Sequence, residues 1–230
     1  INSKPIPRLP DGKIDITGPW VGGGSNGDIE RDGGLKPGEL PLLPWAKELR
    51  DKRVEKDEPY VACLPMSVPR VNPYPWKFAM SYTDKGLSHI YVLHETGDAG
   101  AHRVVYMDGR PHPPAEAAHT FDGFSTGEWQ GNTLVVRTTH MKASPLRRNG
   151  AITSDAAVMT EYVARHGDIL TIAAVIDDPA NLAEPHTISR SWQLDPAVQI
   201  AAFPAPCNPG IEAPGLAAGA VPHYLPGSNP

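Results

Sequence analysis

The sequence predicts an all-β fold in which about eight antiparallel strands form a closed barrel or a sandwich. Three observations support this expectation. Apolar and polar residues alternate through the middle of the chain, turn residues interrupt the alternation at hairpin spacing, and helical patterns do not separate the candidate strands. Parallel strands need long crossover connections that are usually helical, so the pattern favours an antiparallel sheet.

The N-terminal segment 1–75 is predicted to be an extended arm. Its first part is rich in glycine, proline and aspartate and has no periodicity, which is typical of irregular chain. Within it, Ile14, Ile16 and Trp20 are expected to pack on a larger body. Apolar residues then recur at helical spacing over 43–52 and predict one short amphipathic helix.

The main body of the fold is expected over 76–195, where period-2 alternation marks half-buried strands. The predicted strands are Trp76–Thr83, Leu87–Glu95, His102–Asp108, Gly123–Gln130, Thr133–His140, Val158–Arg165, Asp168–Ile176 and His186–Leu194. The pair Gly131-Asn132 is the clearest two-residue hairpin turn, and a second turn is predicted at His166-Gly167. The pattern is typical of an up-and-down barrel of the lipocalin or calycin type, or of a sandwich. With a proline-rich C-terminal arm over 196–230, the chain is predicted to be one structural domain.

Composition limits the classes of partner. The chain of 230 residues has a formal net charge of −5, with basic and acidic residues interspersed. This distribution lacks the basic stripe of nucleic-acid-binding proteins. Apolar runs stay well below the roughly 18 residues of a membrane span. The chain starts at Ile1 without an apolar leader, which indicates either a removed export signal or a shortened chain.

The cysteines Cys63 and Cys207 lie far apart in the sequence. They are either two free, buried thiols or a disulfide that joins the two arms. An even number of cysteines in an exported chain favours the disulfide. In the chain-entropy model it would stabilise the fold by about 4–5 kcal/mol.

Two longer motifs are distinctive: Tyr106-Met-Asp-Gly-Arg-Pro-His112 and Gly123-Phe-Ser-Thr-Gly-Glu-Trp-Gln-Gly-Asn-Thr-Leu134. Together with Pro10–Trp20 and the Cys63-Leu-Pro segment, they resemble a large family of exported, uncharacterised bacterial proteins from acidobacteria and proteobacteria. The resemblance implies export to the periplasm or the cell exterior. It implies no reaction, because we know of no established activity in the family.

Hairpin pairing identifies polar residues on inward faces. The turn at Gly131 places Trp129 and Ser125 on one inward face and puts His140 near the end of the same face. A face that changes from apolar to polar in this way indicates a barrel mouth, where ligands usually bind. Alternatively, His140 only ends its strand at the solvent rim.

Glu161 is the most unusual residue of the predicted sheet. It shares a strand face with Met159 and Val163, and the residues expected across the hairpin are also apolar. A buried carboxylate is costly unless it is paired, so Glu161 needs a partner or a task. One interpretation is an ion pair with Arg190, which shares its own face with apolar residues. The other is a general acid or base tuned by burial.

The strands 87–95 and 102–108 each have one polar face. The residues are His89, Tyr91 and Glu95 on the first strand, and His102, Tyr106 and Asp108 on the second. These faces either line a pocket suited to proton transfer and polar-ligand recognition or simply face water.

The histidines also allow metal binding. His89, His102 and His140 could converge from adjacent strands, which makes zinc or copper an alternative. The sequence has neither a helical pair of histidines nor a Cys-x-x-Cys motif. We therefore expect no cofactor.

These features favour an exported barrel enzyme that performs acid–base chemistry, as a lyase, isomerase or hydrolase, on a small polar or aromatic molecule. The candidate catalytic residues are Glu161, Glu95, Asp108, His112 and His140. The candidate substrate-binding residues are Arg103, Arg110, Tyr91, Tyr106, Ser125, Trp129 and Arg190. The long arms favour instead a non-catalytic periplasmic binding or assembly protein. A histidine-rich metal-binding barrel is a further alternative.

Overall fold

The computed structural model describes residues 5–23, 29–53, 68, 75–94, 102–145 and 151–199. Its strands are β1 (Trp20–Gly22), β2 (Trp76–Thr83), β3 (Gly86–His94), β4 (His102–Tyr106), β5 (Phe124–Gln130), β6 (Thr133–Thr139), β7 (Ser144–Pro145), β8 (Ile152–Thr153), β9 (Val158–His166), β10 (Ile169–Asp177) and β11 (His186–Leu194). Its helices are α1 (Ile29–Asp32) and α2 (Pro44–Lys52).

Nine of these strands form one closed barrel, in the order β1-β11-β10-β9-β6-β5-β4-β3-β2, and β7 pairs with β8 beside it. The predicted all-β barrel is therefore confirmed. The eight predicted strands correspond to β2–β6 and β9–β11, with ends that differ by a few residues. The strand β1 was not predicted, because three residues are too few to show a period-2 pattern.

One pair of barrel strands is parallel, so the expectation of a purely antiparallel sheet was wrong. Strands β4 and β5 run in the same direction, with Val105 beside Ser125. The cause is the extra strand β1, which closes the barrel by pairing Trp20 with both Leu194 and Trp76. A closed sheet with an odd number of strands cannot alternate direction at every neighbour, and the connection 107–123 between β4 and β5 accommodates the exception.

The first predicted turn is correct and the second is displaced. Gln130 pairs with Thr133, so Gly131-Asn132 forms the two-residue turn, and Gly131 has the positive φ of 61° that favours glycine. In the other hairpin His166 pairs with Ile169, which makes Gly167-Asp168 the turn. The pairing register of this hairpin differs from the predicted one by two residues. Because side chains alternate with a period of two, each one keeps its predicted face.

Two apolar clusters occupy the inside of the fold. The first apolar cluster consists of Ile14, Ile16, Trp20, Trp76, Phe78, Ile90, Val92, Val105, Leu134, Val136, Val163, Leu170 and Trp192. The second apolar cluster consists of Ile29, Leu40, Met141, Ala151, Ala157, Met159, Ala174, Ile176, Leu182 and Ile188. The predicted packing of Ile14, Ile16 and Trp20 on the body is confirmed, since all three are fully buried.

The segment 29–53 is fastened to the barrel by polar contacts. The Glu30 carboxylate accepts hydrogen bonds from the backbone of Gly38 and Leu40 and from Arg50 of α2. His186 of β11 lies against this segment, with its Nε2 2.5 Å from the Ile29 carbonyl oxygen. In the part of the chain that the structure describes, no helix is long and apolar enough to cross a membrane. Cys63, Cys207 and the segment 200–230 lie outside the described residues.

Candidate ligand site in the barrel interior

Polar side chains point into the barrel at the junction of the two apolar clusters. On β9, Glu161 lies between Met159 of the second cluster and Val163 of the first. On β11, Arg190 lies between Ile188 and Trp192 in the same way. Strict alternation puts all these side chains on the inward face, so the interior contains a polar level between two apolar levels.

Arg103 organises this level and is the ion-pair partner of Glu161. Its Nη2 donates to Glu161 Oε2 at 2.5 Å and to Thr138 Oγ1 at 2.6 Å. Its Nε donates to Ser125 Oγ at 3.0 Å, and the hydroxyls of Ser125 and Thr138 are 3.0 Å apart. We call these four residues the Arg103 cluster.

The predicted pairing of Glu161 with Arg190 is wrong. Arg190 instead donates to the carboxylate of Asp32 and to the carbonyl oxygen of Gly23. Both side chains are almost fully buried, with exposed fractions of 6% for Arg190 and 4% for Asp32. Asp32 belongs to the N-terminal segment, which the strand pattern does not place, so the sequence could not reveal this partner.

The Arg103–Glu161 pair has unused hydrogen-bonding capacity. Among the described residues, neither Arg103 Nη1 nor Glu161 Oε1 has a hydrogen-bond partner. Neither atom is sealed from solvent, and the side chains keep exposed fractions of 10% and 12%. The pair therefore presents N–H donors and a carboxylate acceptor to the barrel interior.

His94 lies near this pair and is the functional candidate that sequence reasoning missed. It is the next inward residue of β3 after Val92, which pairs with Arg103, and its ring centroid is 6.0 Å from that of Trp76. Burial lowers its pKa to about 4, and the positive charge of Arg103 acts in the same direction. Its Nδ1 has no hydrogen-bond partner within the described residues. His94 is thus neutral at pH 7, with a free nitrogen.

Two other polar groups belong to this region: Asp122 lies near Arg103, and Trp129 points inward. Burial raises the pKa of Asp122, an effect that the positive charges of Arg103 and His102 oppose. Trp129 points inward, as predicted from its pairing with Leu134. Its buried Nε1 lacks a partner among the described residues.

The polar faces of β3 and β4 lie on the outside of the barrel, so Tyr91 and Tyr106 do not line its interior. The reason is that Ile90 and Val105, on the opposite faces, pack in the first apolar cluster. Tyr106 stacks on Phe124, with ring centroids 4.9 Å apart.

Asp108 and Arg110 also lie outside, where they pair with each other. Arg110 Nη2 is 2.5 Å from Asp108 Oδ2, and its guanidinium lies 3.9 Å from the Tyr106 ring centre. The bond to Arg110 lowers the pKa of Asp108 to about 2. The structure thus separates both residues from Glu161, and Glu95 lies outside the described residues.

His112 and His140 belong to a chain of hydrogen bonds on the outer surface. The Nε2 of His140 is 2.9 Å from the Pro114 carbonyl oxygen, which can only accept, so Nε2 donates. A neutral His140 then accepts from Thr139 at Nδ1, and Thr139 accepts from His112 Nδ1, at 2.7 Å in each case. The remaining nitrogen of His112 is 2.9 Å from Thr126 Oγ1. This chain holds the connection 107–123 against β5 and β6.

His140 does not lie at the end of the inward face on which the Gly131 turn was expected to place it. The ladder of β5 and β6 ends at Phe124 and Thr139, and His140 turns away with a φ of 55°. The ring centroid of His140 is 5.0 Å from that of His119. His89 is elsewhere and stacks with Tyr91.

The candidate metal ligands His89, His102 and His140 do not converge. Within the described residues, no three metal-ligating side chains form a group that could hold an ion.

Comparison with protein families, curated proteins and solved structures gives no match to this chain. The chemistry of the interior therefore indicates its use. The Arg103 cluster and His94 together place a charge-neutral ion pair, two buried hydroxyls and a neutral, buried imidazole inside the barrel. Of the site residues expected from sequence, the structure brings together Arg103, Ser125 and Glu161.

Proposed function

We propose that the protein is an exported small-molecule-binding barrel whose ligand lies in the interior against the Arg103–Glu161 pair. The observation that carries this proposal is the unused, accessible Nη1 and Oε1 of a pair that otherwise sits among buried residues. A pair that only closes a core is expected to have its polar atoms saturated by the protein. Export rests on the family that the sequence motifs resemble.

The packing of the interior supports this proposal. About eight strands enclose a space that side chains can fill or that holds one small ligand, and this barrel has nine. The inward residues Met80, Trp129 and Ile172 are only partly buried. Since protein cores are close-packed, this exposure favours an interior that the side chains do not fill completely.

A neutral fluorescent probe tests the proposal. N-phenyl-1-naphthylamine should bind saturably, a single molecule per chain, and quench the emission of the inward tryptophans. Ile172→Trp should abolish binding by filling the interior. Tyr162→Trp introduces the same side chain on the outward face, where Tyr162 is 42% exposed, and should leave binding intact.

Failure of the wild-type protein to bind the probe saturably would contradict the proposal. So would equal binding by folded Ile172→Trp and Tyr162→Trp proteins, with folding judged from cooperative thermal melts. If Ile172→Trp does not fold, Met80→Trp provides a second inward substitution, because Met80 is also inward and partly buried.

A second candidate function is acid–base catalysis by a cofactor-free lyase, isomerase or hydrolase. The neutral His94 favours it, because its buried Nδ1 has no hydrogen-bond partner among the described residues and an unpartnered imidazole nitrogen can accept a proton. Glu161 is less available for this role than expected from sequence, since its Oε2 is bound to Arg103 Nη2 at 2.5 Å. If a bound ligand is recovered chemically unchanged after long incubation, catalysis is contradicted and only the binding function remains. Conversion that is lost in His94→Gln would establish an enzyme.

A further inference from the structure

We propose that the interior site selects a neutral, planar molecule that carries an amide- or lactam-type pair of hydrogen-bonding groups. The inference rests on the proposed binding function and names the class of ligand. It follows from three properties of the site: its charge, the pattern of its unused donors and acceptors, and its aromatic surroundings.

The charge of the site favours a neutral ligand. Arg103 and Glu161 neutralise each other across a contact of 2.5 Å. A ligand carboxylate is attracted by Arg103 and repelled by Glu161. A ligand ammonium is attracted by Glu161 and repelled by Arg103. His94 adds no charge, because burial lowers its pKa to about 4. A charged ligand would therefore lose its hydration without a compensating attraction.

The unused polar atoms specify the complementary group. Arg103 Nη1 has N–H donors to offer, and Glu161 Oε1 is an acceptor. Both atoms flank the same ion-paired contact, so one group that spans this contact can reach both. A primary amide or a lactam presents a carbonyl acceptor and an N–H donor side by side, and it fits this pattern without a net charge.

The surroundings of the site favour a flat ligand. Trp129 points into the interior and is only partly buried. Its partner Leu134 pairs with Val163, the inward residue next to Glu161 on β9. The face of an aromatic ring stacks on planar molecules and makes fewer contacts with flexible chains. An amide attached to an aromatic or heteroaromatic ring therefore fits both the polar pair and the indole of Trp129.

Three ligands of one shape test the inference by calorimetry at pH 7: benzamide, benzoate and benzylamine. Benzamide should bind at least about tenfold more tightly than either charged analogue, as expected for one charge-assisted hydrogen bond. In Glu161→Gln the charge of Arg103 is no longer balanced, so the preference should change to benzoate. The matched control Glu128→Gln removes an exposed carboxylate of β5 and should keep the preference for benzamide.

The outcomes separate the ligand class from the binding function. Tighter binding of benzoate or benzylamine to the wild-type protein would overturn the inference, and so would binding of the naphthylamine probe without binding of any of the three. Failure of the probe and all three ligands would overturn the proposed function as well. If Glu161→Gln does not fold, the double variant Arg103→Gln/Glu161→Gln replaces it. It should bind the three ligands with less than about threefold differences, because the charges that discriminate among them are gone.

Discussion

His94 makes the stability of the barrel depend on pH. Its pKa is about 4 in the folded protein, mainly because of burial, against an ordinary value of 6.5. As the pH falls from 6.5 towards 4, the unfolded chain takes up a proton at His94 that the folded protein does not. The free energy of unfolding is therefore highest above pH 6.5, as far as His94 contributes to it. It decreases as the pH falls, and by pH 4 the loss is about 2–3 kcal/mol.

We expect His94→Phe to remove this dependence. Urea unfolding between pH 4 and pH 7 should show a smaller loss of unfolding free energy in the variant than in the wild-type protein. The control His102→Phe replaces an exposed histidine of β4 and should keep the wild-type slope. An unchanged slope in His94→Phe would show that His94 is protonated equally in both states.

Glu161 and Arg103 show how far reasoning at the scale of single residues reaches. Period-2 alternation identified Glu161 as a carboxylate on an apolar face, and the structure confirms it as a mostly buried side chain, 12% exposed. The same rule places Arg103 of β4 on the face of Val105, which is inward. Nothing local indicated that these two side chains meet, because β5 and β6 separate their strands in the sheet.

At the scale of elements, Gly127 decides how β4 and β5 fit together. A Cβ atom at Gly127 would come within 2.6 Å of Met107 Sδ and 2.9 Å of Val105 Cγ1. Both atoms belong to the chain that runs parallel to β5 and then leaves the barrel. The missing side chain at position 127 therefore lets Met107 and Val105 pack inside at the one parallel pair.

We expect Gly127→Ala to destabilise the protein by about 1–3 kcal/mol through overpacking. In a Met107→Ala background the same change should cost clearly less, because the closest atom is gone. Urea unfolding of the four proteins in this cycle gives the coupling energy. Equal costs of Gly127→Ala in both backgrounds would show that the clash with Met107 is not the cause.

At the scale of the whole molecule, the N-terminal segment is part of the barrel. Trp20 pairs with β11 on one side and β2 on the other. Its indole Nε1 donates to the Ile16 carbonyl oxygen at 2.9 Å, and the Arg165 guanidinium lies 5.2 Å from its ring centre. The segment that composition predicted to be an irregular arm therefore closes the sheet. Its strand β1 lies between β2 and β11 and pairs with both.

Trp20→Ala should destabilise the protein by about 3–5 kcal/mol, the usual cost of removing a large buried side chain. The control Trp45→Ala removes a tryptophan of α2 that is 51% exposed and should cost less than about 1 kcal/mol. Guanidinium unfolding followed by circular dichroism measures both. Similar losses for the two variants would contradict a closing role of Trp20.

The sequence by itself determined eight of the nine barrel strands, the Gly131-Asn132 turn and the face on which each residue of those strands lies. These features depend on local rules, namely the period of two and the backbone demands of a tight turn. Only the tertiary structure decided which face of β3 and β4 is inward, since both faces carry apolar and polar residues. It also decided that β1 closes the barrel, that β4 and β5 are parallel, and that Glu161 pairs with Arg103. Each of these depends on contacts between segments distant in sequence, which local patterns do not encode.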